Sequence, residues 1–359
     1  MREGSKPPGS SSSSTKSSRF SSGRHIPSGL GSGDSRTAST VSVPQTANKV
    51  EKPVRISYLT EQTSHHPPVS AFYISCPEKG IHARGFDQIT AKFTGTSIKV
   101  MPGEHNLGIF ITVERRNHET YQLTHPAAHL GGILRGALSV TVGDMCYITC
   151  PETKLKAILR YYDDGWLGRT TNKVEGIIFR YDPANDDKQQ IKDVPQEDIL
   201  VRLGGPWKER VVFTLGPKPV VSECSPQYEL ASVPALTGSK DSHPPEEQTT
   251  IIDIAPLSVA PKVLPPAEQQ LENESLQMWG GVTKAILSKQ FSLATTLKQE
   301  LEEAQREKAR ERERTGETWK PVFFEQAIDK AGKPNLTEKG RQVLERAQVG
   351  NWSMEGILP

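Results

Sequence analysis

The chain has 359 residues, and 44 Lys and Arg against 42 Asp and Glu leave a formal charge of +2, so no global field draws it onto nucleic acid and any anion must be met by a local cluster. Hydrophobic residues make up only 35% beside 29 glycines and 27 prolines, which reads as one folded domain diluted by disordered sequence. No apolar stretch approaches the roughly 18 residues of a membrane span, no signal-peptide core opens the chain, and four cysteines (Cys76, Cys146, Cys150, Cys224) form no disulfide framework, so reduced cytosolic thiols are expected.

Residues 1–50 are Ser/Gly-rich and slightly basic, with serines at every position from Ser10 to Ser14. They hold too little apolar surface to offset their ordering entropy and predict a disordered tail, or a phosphorylatable or weakly membrane-attracted arm. Residues 51–215 carry a β pattern. Strands are predicted at 54–59, 108–113, 138–142, 147–149, 155–161, 177–181 and 210–215, all rich in branched and aromatic residues. Turn signals separate them: Pro102-Gly103, Asp163-Asp164-Gly165 and Asp182-Pro183. The gaps are too short for helical crossovers, so the sheet should be antiparallel, and many short strands in series suggest a barrel or a strongly curved sheet. Residues 220–249 are polar and Pro-rich and predict a loop. A late strand follows at 250–254. Helices come next: one capped by Asn273 or Ser275 and one capped by Ser292, with Leu293, Leu297, Leu301 and Ala304 on an apolar stripe. A shorter helix is expected at 337–348.

Two sets of residues stand out chemically. Adjacent histidines on a straight strand point to opposite faces. His65 and His66 precede Pro67 and Pro68, which fix their own φ and push His66 from the helical region. A bent, stiff loop could aim both rings at one point and donate to phosphate oxygens. A purely structural turn is equally compatible. Adjacent histidines make a poor metal pair, and Ser64 sits in no nucleophile elbow. The second set is Lys298, Glu302 and Arg306, four residues apart on one helix ridge. It reads either as two solvent-exposed i,i+4 ion pairs or as a cationic site for a phosphorylated polyol. His125 and His129 are expected in structural roles. Phe323-Phe324-Glu325 is only loosely similar to a short acidic-tract peptide motif.

The segment Glu61-Gln62-Thr63-Ser64-His65-His66-Pro67-Pro68 closely resembles the fingerprint of the oxysterol-binding protein and its related lipid-transfer proteins, with Thr63 where Val is usual. Further matches follow in order: Ser70-Ala71-Phe72-Tyr73, Trp166-Leu167-Gly168, Lys173-Val174-Glu175-Gly176, Pro265-Pro266, Asn273-Glu274-Ser275 and Trp319-Lys320-Pro321. The resemblance implies an α+β fold over 51–324: an incompletely closed antiparallel β-barrel (51–215) around a lipid tunnel, a loop (220–249), then a late strand and flanking helices (250–324). Residues 325–359 would form a C-terminal extension with a short helix. The family's lid, first strands and Asn-Pro-x-Leu-Gly-Glu segment have no match, so they are expected to be missing.

The resemblance also implies function. The tunnel holds one lipid: phosphatidylinositol 4-phosphate, with a sterol or phosphatidylserine as the exchange partner. His65 and His66 map onto the family's 4-phosphate ligands, and Lys298, Glu302 and Arg306 onto its headgroup-binding helix. Transfer between membranes makes and breaks no bond, so no enzyme, cofactor or metal is expected. The protein should be a cytoplasmic monomer, peripheral at membranes, with no nucleic-acid partner. The alternative is a phosphoinositide-sensing scaffold that docks on membranes without carrying lipid.

Overall fold

The computed structural model describes residues 54–95, 97–132, 139–162, 172–216, 248–326 and 332–358. The predicted tail at 1–50, nearly all of the 220–249 loop, the Asp163-Asp164-Gly165 turn, the Trp166-Leu167-Gly168 match, Leu138 and Cys224 lie outside the described residues. In the first half of the sheet the strands are β1 (Ser57–Ser64), β2 (Val69–Cys76), β3 (Ile81–Asp87), β4 (Ile89–Phe93), β5 (Ile98–Pro102), β6 (Ile109–Val113) and β7 (Glu119–Leu123). The second half holds β8 (Ala127–Gly131), β9 (Ser139–Cys150), β10 (Leu155–Tyr161), β11 (Lys173–Arg180), β12 (Ile199–Pro206), β13 (Arg210–Leu215) and β14 (Thr249–Asp253). Three helices complete the list: α1 (Ser275–Leu287), α2 (Phe291–Thr315) and α3 (Glu338–Gln348).

The described strands form one sheet in the order β1-β2-β3-β6-β7-β9-β10-β11-β12-β13-β14, and a branch β4-β5-β8 joins it at β9. Each described pairing is antiparallel, as between β1 and β2 or β10 and β11. The path does not close on itself. The incompletely closed antiparallel barrel with flanking helices that the resemblance implies is therefore the observed architecture.

Details differ. The first strand, expected at 54–59, runs instead from Ser57 to Ser64 and takes up the front half of the fingerprint. Its register is set by β2 across a four-residue connection, which holds Ser64 opposite Val69. The strands expected at 138–142 and 147–149 belong to one long strand, β9, which changes partners midway. Its front half pairs with β8 and its back half with β10. The changeover falls at Asp144, which takes a left-handed φ of 72°. The residue flanking the start of α1 is Glu274 rather than Asn273 or Ser275; its side chain makes no capping bond and instead accepts from the upstream Leu271 N–H at 3.0 Å. The cap residue of α2 is Gln290, two positions before the expected Ser292.

Packing divides the sheet. Ile158, Ile177, Phe179, Val194 and Ile199 form one cluster across β10–β12. Beside it the Lys156 side chain, 1% exposed, donates to Asp186 Oδ1 and Lys188 O, both at 2.6 Å, and so ties the 182–193 loop to β10. A buried cation is tolerated because it is paired and hydrogen-bonded. A second cluster joins Val69, Ala71 and Phe86 of β2 and β3 to Phe324, Leu336 and Leu344. The stretch expected as a trailing extension, 325–359, thus supplies two core residues of the barrel's first strands. Phe324 is 1% exposed, which removes it from the peptide-motif reading. At Gly340 a Cβ would stand 2.2 Å from the Phe323 carbonyl oxygen, so only glycine lets α3 approach this closely.

Candidate functional site

The fingerprint is split by the fold. Alternation along β1 turns Ser57, Leu59 and Glu61 one way and leaves Tyr58, Thr60 and Gln62 exposed on the other face. A bulge at Thr63 disturbs the β1–β2 register. His65 and His66 then form the turn with Pro67 and Pro68. Both histidines are exposed, and their rings meet edge to face with centroids 4.3 Å apart. The bent loop expected from the prolines does bring the two rings together. A neutral imidazole offers one N–H and a protonated one offers two, so the corner presents at least two donors to solvent.

Glu61 has a role that sequence reasoning missed. Its Oε1 accepts from the Val322 N–H at 2.7 Å, and its Oε2 accepts from the Phe323 and Phe324 N–H groups at 2.8 and 3.1 Å. One carboxylate satisfies three consecutive backbone donors and pins the 322–324 segment to β1. Thr337 completes the clasp by donating its hydroxyl to Val322 O at 2.7 Å while its N–H bonds Phe323 O at 2.9 Å. The available signal was a carboxylate on the same strand face as Leu59.

The second predicted set lies together on α2. Lys298 contacts Glu302, and Arg306 Nη2 lies 3.7 Å from Glu302 Oε2. The Lys298 hydrogen bond holds the Glu302 carboxyl below its usual range, helped by the charges of Lys298 and Arg306. The Lys298 and Arg306 side chains are exposed and Glu302 is half-buried between them, so the pairing leaves donors on both cations available. Farther along, Arg306 and Arg310 share Glu303, at 3.1 and 2.7 Å.

No hydrogen bond or ion pair joins the histidine corner to the α2 ridge among the described residues. A groove of about 520 Å³ relates their supports. Glu61 on β1, four residues before His65, lines it together with Leu301, Ala304, Gln305 and Lys308 of α2 and with Val322 and Phe323. None of His65, His66, Lys298, Glu302 and Arg306 lines it; β1 and α2 wall the groove with other residues, on the Leu301–Gln305–Lys308 side of the helix. His129 lies in β8 opposite Thr141, and His125 Nε2 is buried without a hydrogen-bond partner among the described residues. No cluster of three or more His, Cys, Asp or Glu suited to a metal is found there.

A sequence profile described as Oxysterol-binding protein matches residues 45–276 and 283–347, most of the chain. The chain belongs to the oxysterol-binding protein family. It is 40% identical over 292 residues to oxysterol-binding protein-like protein 1 of Schizosaccharomyces pombe, which covers 81% of this chain and 51% of that protein. It is 31% identical over 268 residues to oxysterol-binding protein-related protein 5 of Mus musculus, covering 74% of this chain and 26% of that one. The chain thus spans about half, or less, of the length of these family members. Among solved structures it is similar to the Osh1 ORD domain in complex with ergosterol, with a TM-score of 0.56, 18% identity, and coverage of 83% of this chain and 68% of that one. That likeness carries the oxysterol-binding fold, with its open antiparallel sheet and flanking helices.

Proposed function

We propose that this chain binds one lipid and carries it between membranes, reading the phosphate of phosphatidylinositol 4-phosphate with His65, His66, Lys298 and Arg306. Glu302 holds the two cations in place and accepts from an inositol hydroxyl. The driving physics is transfer energy. Each lipid CH2 costs about 0.8 kcal/mol in water, so a free acyl chain or sterol almost never leaves a bilayer unaided. An apolar hollow removes that cost, and the charged rim selects the headgroup. A sterol, as in the Osh1 ORD complexes with ergosterol and cholesterol, or phosphatidylserine is the exchange partner. With two lipids competing for one hollow, a gradient in one drives the other uphill without any covalent step. The work is peripheral, at cytoplasmic membrane faces, and needs one copy of the chain, with no cofactor, metal or nucleic acid.

The observation that carries this reading is the groove shared by β1 and α2, because the strand leading to the histidine corner and the helix bearing the ridge wall the same space. The test is transfer of fluorescent phosphatidylinositol 4-phosphate between two vesicle populations. The full chain should transfer it, and His65→Ala/His66→Ala should abolish transfer. Vesicle binding without transfer by the unmutated chain would make it a phosphoinositide-sensing scaffold. Release of inorganic phosphate or fatty acid would make it an enzyme.

A further inference from the structure

The α1–α2 hairpin keeps only part of its apolar surface for itself. Val282, Ala285 and Ala294 are buried with Leu297 packed against them. Ile286, Leu287 and Phe291, at the turn, remain 50%, 79% and 64% exposed. The turn is held by its own backbone. The Gln290 N–H donates to Ala285 O at 2.8 Å, Ser288 N–H to Lys284 O at 3.0 Å and Lys289 N–H to Ile286 O at 2.9 Å, with Lys289 left-handed at φ 59°. Such a closed turn fixes the three side chains outward.

Charge marks the same place. From Ser275 to Gln299 the only charged residues are Lys284, Lys289 and Lys298, with no acid among them. From Glu300 onward acids and bases alternate densely along α2. Lys298 pairs with Glu302, while Lys284 and Lys289 enter no ion pair among the described residues. Large exposed apolar side chains with two lysines within a few residues, in no ion pair among the described residues, match the chemistry of an anionic bilayer: the apolar groups enter the headgroup–acyl boundary and the ammonium groups stay in the headgroup layer. Three side chains on one turn fall well short of the roughly 800 Å² per partner of a stable protein interface.

We propose that this hairpin tip docks the chain on negatively charged membrane, with Leu287 and Phe291 inserting and Lys284 and Lys289 meeting lipid headgroups. The idea rests on the lipid-carrying reading and adds to it the direction of approach. Phe291 and Lys298 are seven residues apart on α2, so they share a helix face about 10 Å apart. A docked tip therefore brings Lys298, the near end of the ridge, toward the headgroups.

The experiment is co-sedimentation of the full chain with phosphatidylcholine vesicles, with and without phosphatidylserine. The unmutated chain should bind the phosphatidylserine vesicles, less so at high salt. Leu287→Glu/Phe291→Glu should weaken that binding about tenfold or more. Uptake of a water-soluble, short-chain phosphatidylinositol 4-phosphate without vesicles should stay unchanged in the variant. Equal sedimentation of variant and unmutated chain overturns the docking site and leaves the lipid-carrying reading standing. Absent short-chain uptake by the unmutated chain sinks that reading instead. If the double variant loses helix content, a second probe decides: Leu287→Cys in a Cys224→Ser background, labelled with a polarity-sensitive dye. A blue shift on phosphatidylserine vesicles supports the proposal; an unshifted spectrum overturns it. A dimer that dissociates in the double variant assigns the tip to a second copy and also overturns it.

Discussion

Two regions of this chain are built on opposite plans. Around β1 and β3, the contacts that tie the sheet to the C-terminal segment reach across the sequence: Glu61 holds 322–324, Arg84 donates to Asn335 Oδ1 at 2.8 Å, and Ser57 donates to Gln348 Oε1 at 2.7 Å. Along α2, the ion pairs are local, three, four or seven residues apart, and solvent-exposed. The first region is a frame fixed by distant parts of the chain, and stability belongs there. The second is a ridge of charge on a helix that barely enters the core, with Ala294 its only buried residue among those described. Side chains there are free to change partners when an anion arrives.

The sharpest way to break this contrast is Glu61→Ala. It strips three backbone N–H groups of a charged acceptor, so chemical denaturation should show a loss of about 3 kcal/mol; a loss near zero would mean that water replaces the clasp freely. Next comes His65→Ala/His66→Ala, which should leave the denaturation midpoint where it was and remove phosphoinositide binding in a vesicle assay. A large midpoint shift would make the pair a structural turn. Lys298→Ala should weaken phosphoinositide binding in the same assay without altering the fold, and unchanged affinity would take α2 out of the site. Smaller still, Arg310→Ala should leave the midpoint unmoved, since exposed ion pairs contribute little.

The last prediction concerns pH. The Glu302 carboxyl is held below its usual range by the Lys298 hydrogen bond. A depressed carboxyl contributes fully above the unfolded-state value and loses that contribution only as pH falls through its lowered folded value. An NMR titration of the Glu302 side chain should therefore have its midpoint below that of an ordinary glutamate. A midpoint at the ordinary value would show the pair open in solution.

The same contrast explains what the sequence disclosed. The strands at 155–161 and 210–215 were readable to the residue because branched apolar side chains run through them. By contrast β4 (Ile89–Phe93) and β7 (Glu119–Leu123) alternate apolar with polar residues over only five positions, a run too short to stand out by itself; pairing with neighbours makes them strands. The α2 ridge was visible because helical spacing is local. The histidine corner was visible because two prolines stiffen it. Glu61 was not, because its partners lie more than 260 positions away and only the folded chain reveals them. The α1–α2 turn likewise moved the start of α2 ahead of Ser292, since closure onto Ala285 O takes precedence over a favourable capping residue.

Gln348 bonds Arg55 in both directions: the Arg55 guanidinium donates to its backbone oxygen and its own amide donates to the Arg55 carbonyl, each at 3.2 Å. The residue two positions before the opening strand and the last residue of the closing helix of the described fold are thus tied together. A pulling force applied between them would load that small patch first, before any rung of the sheet gave way. Mechanical rupture should begin there, peeling α3 from the barrel while the strands behind it remain paired.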